Sequence, residues 1–206
     1  MRAVALLLAV ALALTSCGRV TDMVSRKNVA DLPGMALCGD PAIRGEVLPP
    51  IDDAGVCGID DPVRVSSVSG VVLSQSAMLD CSAARSLRQW VDGVAKPAVG
   101  RRGGGLSGLR VAAHYACRTR NNQSGAKVSE HGKGRAIDIS AISLKDGETI
   151  TVLDHWSTLR RGRLLRKLHG GACGPFGTVL GPKSDRFHRD HFHFDTASYR
   201  SGPYCR

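Results

Sequence analysis

Apolar positions in this chain fall into short period-two stretches and two longer helical-period ones. Alternation over 65–73 predicts a strand, and residues 109–116 predict another. Leu79, Ala83, Leu87, Trp90 and Val94 recur at helical spacing, which predicts a helix over 76–94. The clearest strand is 135–142: Ile137 and Ile139 take one face, Ala136, Asp138 and Ser140 the other. A turn at 145–148 leads to a short strand over 149–152. A helix is expected over 153–169, stopped by Gly170-Gly171. His/Phe alternation over 191–195 predicts a last strand. Between these lie a loop-rich lead-in over 38–57, a glycine-rich connection over 101–108 and a polar loop over 121–128. There is no internal repeat. The pattern predicts one α+β domain, a small antiparallel sheet flanked by helices.

The chain's first residues read as an address rather than as structure. Arg2 precedes an apolar run over 3–14, too short for a mature membrane span. Leu14-Thr15-Ser16-Cys17 then resembles a bacterial lipobox, with small residues directly before a cysteine that would be acylated; an ordinary cleaved signal peptide is the alternative. The expected layout is a leader at 1–16, a tether at 17–35 and a folded domain at 36–206. Gly18 in place of Asp points to the outer membrane where the cell has one. Either reading exports the protein to the periplasm or cell exterior.

Export changes the meaning of the cysteines. Beyond Cys17 the chain holds Cys38, Cys57, Cys81, Cys117, Cys173 and Cys205, with no C-x-x-C pair of the kind a structural zinc needs. Six cysteines in an oxidising compartment read as disulfides, for which about 15 pairings exist. The pairing expected is sequential: Cys38–Cys57, Cys81–Cys117, Cys173–Cys205. Aromatics are only 4% of the chain and glycines number 24, so cross-links would supplement a modest core. The net charge of +10 suits anionic envelope polymers or lipid head groups; nucleic acid is not expected for an exported chain, and a monomer is. Arg160, Arg161, Arg163, Arg166 and Lys167 form either a polyanion patch or the solvated face of a helix.

Two clusters carry candidate chemistry. His131 and Asp138 stand seven apart across a turn containing Gly132 and Gly134, and Asp190-His191-Phe192-His193 follows near the C-terminus. Two imidazoles and a carboxylate are the ligands of a catalytic zinc site, which keeps a fourth position for water. We assign His131, Asp138 and His193 as ligands. His191 shares a strand face with His193, while Asp190 must sit in a loop or bulge just before that strand if it is to reach the same site. His114, His155, His169 and His188 have no partner at ligand spacing and read as structural. No H-E-x-x-H helix is present.

Ser129-x-His131-x-x-Gly134-x-Ala136-x-Asp138 matches every specified position of the S-x-H-x-x-G-x-A-x-D signature. The chain thereby resembles the D-Ala-D-Ala carboxypeptidase and endolysin zinc peptidases, a group that includes lysostaphin and hedgehog-type folds. From Cys38 to Cys205 it also resembles the bacterial extensin-like protein C-terminal family, through Cys38-Gly39, Leu79-Asp80-Cys81, Cys117-Arg118-x-Arg120-Asn121 and His188-Arg189-Asp190-His191-Phe192-His193. The resemblance implies Zn²⁺ on His131, Asp138 and His193. It implies Asp190 as catalytic base, with Glu130 the alternative and otherwise a solvent-facing turn residue. His191 takes a transition-state role, and Arg118 binds a carbonyl or carboxylate. Arg120 has the same options, a plain surface role being open for both. Ser129 orients substrate or His131, or only bonds within its turn. The function implied is hydrolysis of peptidoglycan stem-peptide or cross-link amides by a membrane-anchored lipoprotein. A non-catalytic zinc-containing peptidoglycan binder or a basic envelope adaptor is the alternative.

Overall fold

The computed structural model describes residues 34–53 and 55–206; the leader, Cys17 and nearly all of the expected tether lie outside them. The main sheet has ten strands, not a small number, and it is mixed rather than antiparallel. β1 (Met35–Leu37), β2 (Asp40–Val47), β5 (Val63–Val68) and β6 (Val71–Leu79) form an antiparallel run. β7 (Leu106–Ala113) then adds parallel to β6. β8 (Ala136–Leu144), β11 (Phe192–Asp195) and β10 (Thr178–Leu180) continue antiparallel, and β12 (Tyr204–Cys205) closes the edge in parallel. β9 (Thr149–Thr151) pairs with β8, and β3 (Ile51–Asp52) with β4 (Gly58–Ile59) in a separate ribbon.

The expected strand over 65–73 is a hairpin. Ser69 and Gly70, both at positive φ, turn β5 into β6 with Val68 opposite Val71. Left-handed conformations at both turn residues match the twist of paired strands. β6 runs on to Leu79, so the helix expected from residue 76 starts later. Val63 and Val65 pair with Leu79 and Ala77 and hold that stretch extended. Asp80 caps α1 (Cys81–Trp90), its carboxylate accepting from the Ala83 amide at 2.8 Å. The helix passes through a π turn at Val91–Ala95 into α2 (Lys96–Val99). The helix expected over 153–169 is two: α3 (Val152–His155), capped by Thr151, and α4 (Arg160–Gly170). The lead-in over 38–57 contains β2, an eight-residue strand.

One core joins these pieces. Ala83, Ala84, Leu87 and Trp90 of α1 and Leu164, Leu165 and Leu168 of α4 are buried with the inward residues of the sheet. The Trp90 indole donates to the Leu168 carbonyl at 3.0 Å and meets Phe194 edge-on at 5.3 Å. The disulfides are Cys38–Cys81, Cys57–Cys117 and Cys173–Cys205. Two of the expected pairs are therefore wrong. Cys38 and Cys81 meet because β1–β2 folds back beside the start of α1, a contact that nearness in sequence does not foretell.

Candidate metal centre

The first half of the site is made locally. The Ser129 hydroxyl accepts from the His131 amide at 3.4 Å and starts a 3-10 turn over Glu130–Lys133. Gly134 ends the turn at φ +66°, where a side chain would also strike Ile59. The chain then enters β8. The second half comes from strand pairing: His193 on β11 stands directly opposite Asp138 on β8. His131, Asp138 and His193 are all buried, and their ligand atoms lie within 4.8 Å of one another.

Hydrogen bonds decide which ring nitrogens are offered. His131 Nδ1 lies 2.6 Å from the His114 carbonyl oxygen, which accepts only, so in the neutral ring that a metal binds Nδ1 carries the proton and Nε2 the lone pair. That Nε2 is 3.2 Å from Asp138 Oδ2 and 3.1 Å from His193 Nδ1. His193 Nε2 donates to Asp195 Oδ2 at 3.0 Å, while Nδ1 faces Asp138 Oδ1 at 2.9 Å. Burial would lower His193, but Asp138 and Asp195, one at each ring nitrogen, push it up to about 9. Burial likewise raises the Asp138 carboxyl, yet its hydrogen-bonding and electrostatic contacts with the His131 and His193 rings hold it far below the usual carboxylate range. Two imidazole nitrogens and one carboxylate converge, each histidine's other nitrogen already committed. This group can hold a metal ion, and its donor chemistry fits the zinc expected from sequence.

A family model described as extensin-like protein C-terminus matches residues 37–206. The chain belongs to that family. No curated protein and no solved structure matches it.

In this extensin-like domain the metal group lies at the floor of a cleft of about 650 Å³. Arg118, Arg120, Ser129 and His191 all line it. Arg118 follows the Cys57–Cys117 disulfide, and its Nη2 is 3.9 Å from Asp138 Oδ2. The Ser129 hydroxyl is engaged within its turn by the His131 amide. His191 presents Nε2 at 3.6 Å from Asp138 Oδ2. Asp190 stands before β11 as its spacing required, but its carboxylate is 63% exposed and it does not line the cleft. It bonds instead to His191 Nδ1 at 2.8 Å, behind the ring. Glu130 is not in the solvent: it is buried, lines the cleft and pairs with Lys133 at 3.1 Å.

Five residues around the site were not expected from sequence. Asp195 shares the strand face of His193 by period two, a signal present in Phe192-His193-Phe194-Asp195. Thr178 bonds to Asp195, and the Tyr199 hydroxyl lies 3.2 Å from that of Thr178, so the support behind His193 reaches the cleft wall. His188, read as structural, is buried at the cleft with its ring 5.3 Å from that of His191. Asp185 holds its Nδ1 at 2.8 Å. Burial, together with the nearby His193 and His191, lowers His188 more than Asp185 raises it, which favours a neutral ring. Spacing gave no sign of Asp185, since the 185–191 segment has no regular period.

Proposed function

We propose that this extensin-like protein is a zinc-dependent peptidase of the cell envelope, hydrolysing amide bonds in peptidoglycan stem peptides or cross-links. The observation that carries the reading is the convergence of His131 Nε2, His193 Nδ1 and an Asp138 oxygen beside the His191–Asp190 pair, in a cleft large enough for a peptide. The complete Ser129-to-Asp138 signature supports the same reaction by resemblance. Zinc held by these three residues would lower the pKa of water and polarise the scissile carbonyl.

The chain's own groups supply the rest. His191 receives the proton of the attacking water on Nε2 and returns it to the leaving amine. Asp190 fixes Nδ1–H on the far side of the ring and stabilises the imidazolium that forms. Asp190 thus acts through His191, which revises the direct-base role expected from sequence. Arg118 reaches over Asp138 and would meet the carbonyl oxygen as charge develops on it. The three disulfides suit an exported protein; with the leader expected at 1–16, they support an envelope location.

Digestion of purified muropeptides with and without a chelator, followed by mass analysis, tests this reading. Products lost with chelator and restored by zinc are expected. Retained binding with no products at any zinc level would sink the peptidase and leave the non-catalytic binder.

A further inference from the structure

The end of the sheet remote from the metal centre is built differently from the rest of the surface. β8 runs six residues from Asp138 to Leu144, about 20 Å at the usual strand rise. Beyond Leu144 a turn ties together two basic segments. Its Lys145 and Asp146 amides donate to the carbonyls of Gly105 and Gly103, each at 3.0 Å, which holds the Arg102 turn in place. Its Glu148 takes the Arg161 guanidinium at 2.7 Å, which fixes the start of α4. Arg102, Arg160 and Arg161 consequently line one groove with Thr158, and Glu148 is the groove's single carboxylate. Arg163 is exposed on the next part of α4. Arg166 is spent otherwise, its Nη1 donating to the Trp156 carbonyl at 2.7 Å.

Apolar groups accompany these charges. Leu159, immediately before Arg160, is 74% exposed, the highest value for a large hydrophobic among the described residues. Leu153, on α3 in the segment that leads to Thr158 and Leu159, is 64% exposed. A soluble polyanion would satisfy the guanidinium groups and leave both leucines in water. A bilayer offers phosphates at its surface and hydrocarbon just below, so it satisfies both. No helix among the described residues is long and apolar enough to cross a membrane.

We infer that the groove lined by Arg102, Arg160 and Arg161, with Leu159 next to Arg160 and Arg163 one turn further along α4, docks on a membrane rich in anionic phospholipid. The docked edge holds the metal centre about 20 Å away along β8, with its cleft clear of the bilayer. The inference does not depend on the reaction catalysed.

The test uses the full chain carrying Leu159→Trp, with Val47→Trp as control, since Val47 is 64% exposed on β2, four strands from β8. Each is mixed with vesicles of phosphatidylcholine alone or with about 30 mol % phosphatidylglycerol, and the emission of the native chain is subtracted. A lipid anchor, where present, acts on both variants and both vesicles alike. At position 159 a blue shift and quenching by brominated acyl chains are expected with phosphatidylglycerol only, and neither at position 47. Adding Arg102→Ser, Arg160→Ser and Arg163→Ser should weaken that partitioning at least about tenfold, with an unchanged thermal midpoint showing an intact fold. Equal signals with both vesicles, or at both positions, would overturn the inference. So would binding of soluble polyphosphate with no quenching from brominated lipid, which would assign the face to a polymer.

Discussion

Asp195 and Asp190 have the same chemistry and opposite neighbourhoods. Asp195 is buried behind His193 and keeps Nδ1 of that ring turned towards Asp138. Replacing it by Asn leaves the volume unchanged but removes the charge that selects the tautomer. Asp195→Asn should lower zinc affinity about 10–100-fold in competition with a chelator dye, with little change in fold. Asp190 is exposed and touches His191 alone among the metal-centre residues, so its loss should spare the metal. His191→Ala should cut kcat about 10²–10⁴-fold at full zinc occupancy, and Asp190→Asn should cut it less. Equal loss of bound zinc in His191→Ala would show that this ring is a ligand rather than a proton carrier.

Elements position these residues through close backbone approaches. The ligand turn is pinned at its end and its middle: Asp80, the cap of α1, donates its amide to the Gly134 carbonyl at 2.8 Å, and Gly132 sits against the Cys57 sulfur. α4 is anchored the same way. Gly162 lies in its first turns, where glycine costs about 1 kcal/mol against alanine by helix propensity. A Cβ there would run into the Trp156 carbonyl oxygen and lie 2.9 Å from that of His155. Backbone cannot swing aside as a side chain does, so packing outweighs propensity. Gly162→Ala should therefore destabilise by about 1–3 kcal/mol in urea unfolding, against the sign that propensity alone predicts.

At the scale of the whole molecule the candidate metal centre joins segments far apart in sequence: His131 from a turn, Asp138 from β8 and His193 from β11, with Arg118 held near by the Cys57–Cys117 bridge. An ion held by His131, Asp138 and His193 would find no such site in the unfolded chain and would stabilise the fold by mass action. Zinc at about 100 times its Kd should add about 2.7 kcal/mol. For a domain of this size that raises Tm by roughly 5–10 °C, reversed by chelation. An unmoved midpoint under those conditions would mean that zinc does not bind the folded state.

Much of the site was legible because it is written in local periods. The Ser129-to-Asp138 segment carries its own turn, its glycine at positive φ and a strand that turns Asp138 away from Ile137 and Ile139. His193 follows from alternation, and Asp195 was open to the same argument. The ten-stranded sheet, the Cys38–Cys81 and Cys57–Cys117 pairings and the burial of Glu130 and His188 were not legible. Each depends on contacts between segments tens of residues apart, and local pattern holds no record of which segments meet. By itself the sequence named His131, Asp138 and His193 as candidate ligands and the way Asp138 and His193 face on their strands. Only the tertiary structure decided that Asp190 turns behind His191 and that Asp195 completes His193. Direction on a strand is a property of the backbone period, whereas a hydrogen-bond partner is a property of what the whole fold packs beside it.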